Sequence, residues 1–508
     1  MVENNQNYSD KYKERSNLTQ DDVKIQNIVN LLLEKKKVRY TFKTNHDPII
    51  NYLHAILHRI LSELDLTFLT ETLHVIILEM ISNFLKAIAK RIYFKEKKLD
   101  ITNYKDYVEN IPRFKSEVLE YWDTYKFNLE EHGYFLFFDF IILEDKFVFY
   151  IKNNVKVNIF EKERIEKRLT MHLNDESYYN EIDSTEGGGL GLLITLSLLE
   201  NSGISKNNFK MDFKADSTTA ILIIPLKLNK PQIETYLREI VLNKIETLPS
   251  FPEYIQELID KCDSGEVTTD YIINKIIKDP GLTSQILKLA SSAGYITRKK
   301  NPDLKLAINL LGLKQLKHLL MIYAAKNVFN KVVERKYLED IWYESNRIAF
   351  FARKLQKKEE LKETSFIIGI LNLIGKLVIY SLNAKEIQKI KEISKNKINF
   401  NDHILEELEI GISYPEIGAI LAETWKFPEN VVYGIRYQYK PLQISDDKID
   451  LIYPVYFAKC INEVINNRFS YDFIEYKVLR YYSLLDKREQ FEKLFKSLKE
   501  EFESIYTL

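Results

Sequence analysis

Asp279-Pro280-Gly281-Leu282-Thr283-Ser284-Gln285-Ile286-Leu287-Lys288-Leu289-Ala290 lies near the middle of a 508-residue chain and opens a helix. The Asp279 carboxylate can cap free amides, and Pro280 fits a first turn, where a missing N–H costs nothing. Downstream, Gly312 interrupts the apolar run of Leu311-Gly312-Leu313 and permits a turn or close backbone packing. From Leu248 onward the apolar residues keep the helical period, down to a last helix with the stripe Phe491, Leu494, Phe495, Leu498, Phe502 and Ile505. Residues 247–508 are therefore expected to form an all-α domain.

Moving toward the N-terminus, Leu228 to Pro231 breaks the pattern. Ile233, Tyr236, Leu237, Ile240 and Val241 then repeat at the spacing of an amphipathic helix, which predicts a connector over 229–246. Residues 21–228 read differently. Ile56, Ile60 and Leu64 share one helix face, and Leu73, Ile76, Ile77 and Met80 share the next. Phe135 to Phe140, Phe147 to Ile151, Phe209 to Phe213 and Ala220 to Ile224 are short, aromatic and β-branched, as strands are. The expectation is an α+β chain: an N-terminal α/β sandwich followed by the helical domain. Residues 1–20 are polar, without apolar period, and read as a tail.

Composition narrows the function classes. Lys plus Arg equal Asp plus Glu at 73 each, so no global field draws the chain to nucleic acid or anionic lipid, and Arg298-Lys299-Lys300 reads as a solvated loop. The opening residues lack the apolar core of a secretory signal. The run Tyr134 to Leu143 contains Asp139 and is about half the roughly 20 residues a spanning helix needs, so no membrane segment is expected. Cys262 and Cys460 have no Cys-x-x-Cys spacing, which removes a disulfide framework or thiolate zinc site and fits a reducing cytoplasm.

Two elements in the first half carry chemistry. Glu79 and Asn83 are four apart on a predicted helix, so both polar heads leave one face. Asn83 can offer a neutral oxygen to Mg²⁺, and Glu79 can orient water or accept a proton beside a phosphate; a solvated helix face is the other reading. Glu186-Gly187-Gly188-Gly189-Leu190-Gly191-Leu192 runs into an apolar helix, a geometry that lets amides approach an anion, and equally a loop that lets strand and helix pack.

In that order these pieces resemble the ATP-binding fold shared by sensor histidine kinases, gyrase and Hsp90, over roughly Ile49 to Leu226. Thr218 and Thr219 before Ala220 look like that family's closing strand. The resemblance implies Mg-ATP, with Asn83 on the metal and Asn153, Gly187, Gly189, Leu190, Gly191 and Thr219 around the nucleotide. It also marks a departure. Where the family has Asp-x-Gly-x-Gly beneath the adenine, this chain has Asn153-Asn154-Val155-Lys156-Val157. The amide can accept one hydrogen bond, whereas two β-branched side chains replace the glycines. No phosphoacceptor helix accompanies the fold: His46-Asp47-Pro48 lacks a helix around it, and His54 and His58 read as surface or interface histidines.

The helical half resembles the HDOD domain, a non-enzymatic relative of the HD phosphohydrolases. Leu248-Pro249-Ser250-Phe251-Pro252, Asp279-Pro280-Gly281-Leu282-Thr283, Leu287 to Tyr295, Ala307-Ile308 with Leu311-Gly312-Leu313, Gly369-Ile370-Leu371, Ile374-Gly375-Lys376, Glu416-Ile417-Gly418 and Trp425-Lys426-Phe427-Pro428 follow the family's order. At the metal-ligand positions of active HD enzymes stand Asn372-Leu373, Glu344, Tyr414 and Gln438-Tyr439. Aliphatic, amide and phenolic groups do not replace an imidazole set, so no metal is expected in this domain. The implied function is a signalling adaptor that binds other signalling proteins, with room for a homodimer. The alternative is a serine- or histidine-directed kinase-like regulator using Glu79 as catalytic base.

Overall fold

Alternation decides the sheet. In β2 (Leu136–Ile142), β3 (Lys146–Asn153) and β5 (Thr218–Pro225) every second side chain is buried, among them Phe138, Phe149, Ile151, Ala220 and Leu222. With β1 (Val38–Thr41) and β4 (Phe209–Phe213) they form an antiparallel sheet of order β1-β2-β3-β5-β4. One face is thus apolar and covered while the other is half-exposed, as expected of an antiparallel sheet. The register sets Asn153 opposite Thr218 at one end of the β3–β5 ladder.

The structure, a computed structural model, describes residues 20–122, 124–170, 190–228, 236–265, 267–292, 304–382, 407, 410–466 and 468–506. It divides into two compact units, Met1–Gln232 with Asp472–Lys477, and Ile233–Tyr471 with Val478–Leu508. In the first unit, α1 (Gln20–Leu33) packs on α2 (Ile49–Glu63), and α2 packs on α3 (Thr70–Glu96). The long α3 also covers β3 and meets α6 (Leu190–Asn201), which in turn meets α5 (Ile159–Thr170). The short α4 (Tyr104–Phe114) is capped by Asn103, whose side chain accepts from the amides of Lys105 and Asp106. Residues 472–477, read from sequence as part of the helical domain, belong to this unit: Asn51 donates to the carbonyls of Asp472 (2.8 Å) and Ile474 (3.0 Å).

The secondary structure among the described residues of the second unit is helix, without strands. α7 (Tyr236–Thr247) packs on α14 (Ile374–Tyr380) and α15 (Tyr414–Thr424), so it belongs to this unit, where the sequence suggested a connector between domains. α8 (Glu253–Ser264) and α10 (Pro280–Ser292) pack on α11 (Leu304–Phe329), with α9 (Thr269–Ile276) beside them. α12 (Arg335–Leu355) packs on α13 (Lys362–Leu371) and α17 (Ile449–Ile465), and α16 (Glu429–Tyr437) on α15. The short α18 (Tyr476–Tyr481), whose first two residues fall in the first unit, and α19 (Arg488–Tyr506) follow.

Several landmarks now have physical roles. Asp279 caps α10, accepting from the Leu282 amide at 3.0 Å, and it also accepts from the hydroxyls of Tyr254 (2.6 Å) and Tyr323 (2.8 Å). Gly312 breaks α11 with a φ of 73°, a left-handed conformation that a side chain resists. Gly375 lies against the α15 backbone, where an added Cβ would overlap the Tyr414 carbonyl and sit 2.8 Å from the Gly418 amide. Phe251 and Trp425, far apart in sequence, meet with ring centroids 4.9 Å apart and planes tilted by 52°. Thr67–Glu96 and Glu359–Tyr380 are long and apolar enough to cross a membrane, yet 61% and 72% of their most apolar windows are buried within the protein.

Candidate functional site

One face of α3 repeats polar groups at helical spacing, Glu79, Asn83, Lys86 and Lys90, and α5 does the same with Glu161, Arg164 and Arg168. In the first unit these two faces, the end of β3, the strands β4 and β5 and the start of α6 enclose a cavity of about 260 Å³. Its apolar lining includes Phe84, Val155, Ile165, Leu192, Phe209 and Met211.

Five basic side chains line it, Lys86, Lys90, Arg91, Arg164 and Arg168, against two acidic ones, Glu79 and Glu161. Glu161 is the internal counterion. Lys90 Nζ donates to its Oε1 at 2.6 Å, Arg91 Nη1 to the same oxygen at 2.7 Å, and Arg91 Nη2 to Oε2. Burial alone would raise the Glu161 carboxyl, but Lys90 and Arg91 hold it well below the usual range. Lys86 is shifted the other way: burial lowers its ammonium, and the Glu79 charge offsets part of that.

Among the residues singled out from sequence, Glu79, Asn83, Asn153 and Gly191 all line this cavity. Asn83 is exposed at its edge and donates to Glu79 Oε1 at 3.3 Å. Gly191 sits against Glu79, whose carboxylate any side chain at 191 would overlap. Leu190 opens α6, whereas Gly187 and Gly189 lie outside the described residues. Thr219 is corrected: its side chain is on the other sheet face, and Thr218 lines the cavity in its place because alternation turns only one of two successive residues inward. Steps of three and seven from Asn83 along α3 reach Lys86 and Lys90, the spacing by which the sequence itself places them on this face.

On the sheet side of the cavity the polar side chains bond to the backbone. Asn153, 1% exposed, donates through Nδ2 to the Phe84 carbonyl at 3.4 Å and accepts the Val155 amide on Oδ1 at 3.3 Å. Thr218 Oγ1 donates to the Val155 carbonyl at 2.8 Å.

His54 of α2 is also corrected. His54 is buried, its Nε2 3.1 Å from Glu71 and its Nδ1 3.2 Å from Glu475, and it stacks on His74 with ring centroids 4.4 Å apart. Burial opposes its charge, but the two carboxylates win and raise it to about 10. His74, beside this imidazolium, is pushed well down by burial and by His54.

In the second unit, the positions that mark the HD ligand set converge on a residue the sequence reading passed over. Lys459 of α17, 1% exposed, donates to Asn372 Oδ1 at 2.8 Å and to the Tyr414 hydroxyl at 2.9 Å. Its ammonium lies 4.5 Å from the Tyr439 ring centroid, and the Tyr414 and Tyr439 hydroxyls are 2.6 Å apart. Glu344 accepts from Asn462 Nδ2 at 2.7 Å and from Arg468. Gln438 donates to the Asn372 carbonyl at 3.1 Å. Burial drives the Lys459 ammonium down to about 7, with Glu463 and Glu344 pulling upward and Lys376 and Arg468 downward. An amide oxygen, a phenol and an ammonium do not fit a divalent metal. Among the described residues no group of three or more His, Cys, Asp or Glu side chains is arranged to hold one. A lone Lys inside the apolar run Leu451 to Ile461 was the available sequence signal.

Comparison with known proteins identifies a domain within the second unit. Residues 248–441 match the HDOD domain family, and the chain carries an HDOD domain there. An uncharacterized protein of Treponema pallidum is 26% identical over 494 residues, covering 96% of this chain and 95% of its own length. Among solved structures, an HDOD domain protein of unknown function from Geobacter sulfurreducens is 18% identical, covering 54% of this chain and 98% of its own, with a TM-score of 0.41. A phosphohydrolase candidate from Shewanella amazonensis is 27% identical, covering 51% and 93%, with a TM-score of 0.40.

Proposed function

We propose that the chain is a cytoplasmic signal-transduction adaptor whose HDOD domain is catalytically inactive and binds other signalling proteins, coupled to a degenerate ATP-binding domain. The observation that carries this reading is Lys459, whose buried ammonium sits among Asn372, Tyr414 and Tyr439, at positions the HD resemblance assigns to metal ligands. The Lys459 Nζ fills the space a divalent cation would need, and the Asn372 and Tyr414 oxygens are already engaged with it. What a hydrolase would spend on metal chemistry here holds α13, α15 and α17 together as a scaffold for recognition.

In the first unit, Mg-ATP would meet Asn83 as a metal ligand, and the lysines and arginines of α3 and α5 would face its phosphates. A second reading, a kinase-like regulator, is favoured by the Glu79 carboxylate at the cavity beside Asn83. The test of the adaptor is elemental analysis of the purified full chain together with a phosphodiesterase assay in added iron or manganese. The expected result is neither stoichiometric metal nor turnover; bound metal with hydrolysis would refute catalytic inactivity. Phosphoryl transfer from ATP to a protein substrate, lost in Glu79→Gln, would instead favour the kinase-like reading.

A further inference from the structure

The sheet of the first unit ends in two unlike edges. β4 is the last strand in the order β1-β2-β3-β5-β4, and among the described residues no strand pairs with its outer side. The Lys214 amide donates to the Ser217 carbonyl at 2.9 Å and closes the β4–β5 hairpin. The register carries this pairing on, with Asp212 opposite Thr219 and Lys210 opposite Ile221. In an antiparallel ladder hydrogen-bonded pairs alternate with non-bonded ones, so Asp212 and Lys210 spend their backbone groups on β5. Those of Phe209, Met211 and Phe213 point outward, and an edge of this kind is a template for another strand.

The residues of the edge say which strand. Phe209-Lys210-Met211-Asp212-Phe213 reads the same in both directions, except that the charge changes sign. A twofold axis through Met211 sets Met211 of one copy opposite Met211 of the other, and Phe209 opposite Phe213, so the outward amides and carbonyls meet one another. Lys210 of each copy then faces Asp212 of the other at the non-bonded pairs, where side chains approach most closely. Both side chains are exposed, and Asp212 lies 3.8 Å from Lys214, itself more than half exposed. The opposite edge lacks this match. The Phe42 amide donates to the Leu136 carbonyl at 3.0 Å, so by the same alternation Arg39 and Thr41 point outward from β1. An axis through Arg39 sets it opposite itself, and one through Thr41 sets it opposite Lys43, like charges that oppose pairing.

We propose that β4 is a self-association edge: two copies of this chain join antiparallel through Phe209–Phe213, making one continuous sheet with five strands from each copy. A single strand pair buries little area, so the dimer is a reversible one. Phe209 and Met211 also line the cavity, which places part of its wall on the interface strand.

The experiment is sedimentation velocity on the full chain across a concentration series at low salt, for the parent and three variants. The parent is expected to show a monomer–dimer equilibrium. Lys210→Asp sets two carboxylates in each cross-strand pair and Asp212→Lys two ammonium groups, and each weakens the dimer about fivefold or more. The double variant Lys210→Asp, Asp212→Lys restores opposite charges and returns the Kd to within about threefold of the parent. Because it carries both changes, its recovery shows that neither substitution acts by unfolding the strand. A monomer at every concentration, a dimer indifferent to both single reversals, or a double variant as weak as the single ones overturns the proposal.

Discussion

Replacing Lys459 with Met removes one buried charge while keeping a side chain of similar length, and its signature is a change in how stability depends on pH. In the folded protein burial holds the ammonium near 7, against 10.5 for an ordinary lysine. Between those values the unfolded chain binds the proton that the folded chain has released, so stability rises with pH through this window. Full conversion is worth about 1.4 kcal/mol per pH unit. Because Lys459 is half-titrated at the lower edge, the gain between pH 7 and 9 is about 2 kcal/mol. The variant lacks that gain. It also leaves the buried Asn372 oxygen without its donor, a cost of roughly 1–3 kcal/mol, but this cost is independent of pH and drops out of the slope. Trp342 and Trp425 lie in the second unit and Trp122 in the first, so a Trp122→Phe background makes fluorescence report the second unit alone. Urea unfolding at pH 7, 8 and 9 then compares the two proteins. Parallel stability profiles would refute a neutralising lysine buried in the second unit.

The first unit should respond to pH with the opposite sign at His54. That group is raised to about 10, so its contribution is complete below the ordinary histidine value of 6.5 and is lost as pH rises through 10. His54→Gln leaves Glu475, 1% exposed, and Glu71 without their shared cation, at an expected cost of roughly 3–5 kcal/mol near neutrality. Equal stability of variant and parent at pH 7, measured by urea unfolding followed at Trp122, would show that the imidazolium is not what neutralises the pair. Gly375→Ala drives a methyl group into the Tyr414 carbonyl and the Gly418 amide, backbone atoms that cannot rotate away. The expected loss is about 3 kcal/mol, read as a lower Tm at Trp425, and an unchanged Tm would contradict the close α14–α15 approach.

What the sequence determined by itself was local. Period and capping placed the helices, since Asp279 before Pro280 starts α10 by an interaction spanning only three residues. Alternation located β2, β3, β4 and β5 within a residue or two, while the four-residue edge strand β1 has no buried position to mark it. The spacing of Glu79 and Asn83 was legible because a helix fixes which residues share a face. The tertiary structure decided everything that depends on distant partners. Thr218 rather than Thr219 faces the cavity because the sheet's packing face sets the phase of the alternation. His54 is an imidazolium because Glu475, more than four hundred positions away, is brought to its Nδ1. Lys459 lies among Asn372, Tyr414 and Tyr439 because α13, α15 and α17 converge there, and a charge tolerated in an apolar run acquires its meaning only from the amide and phenols that surround it.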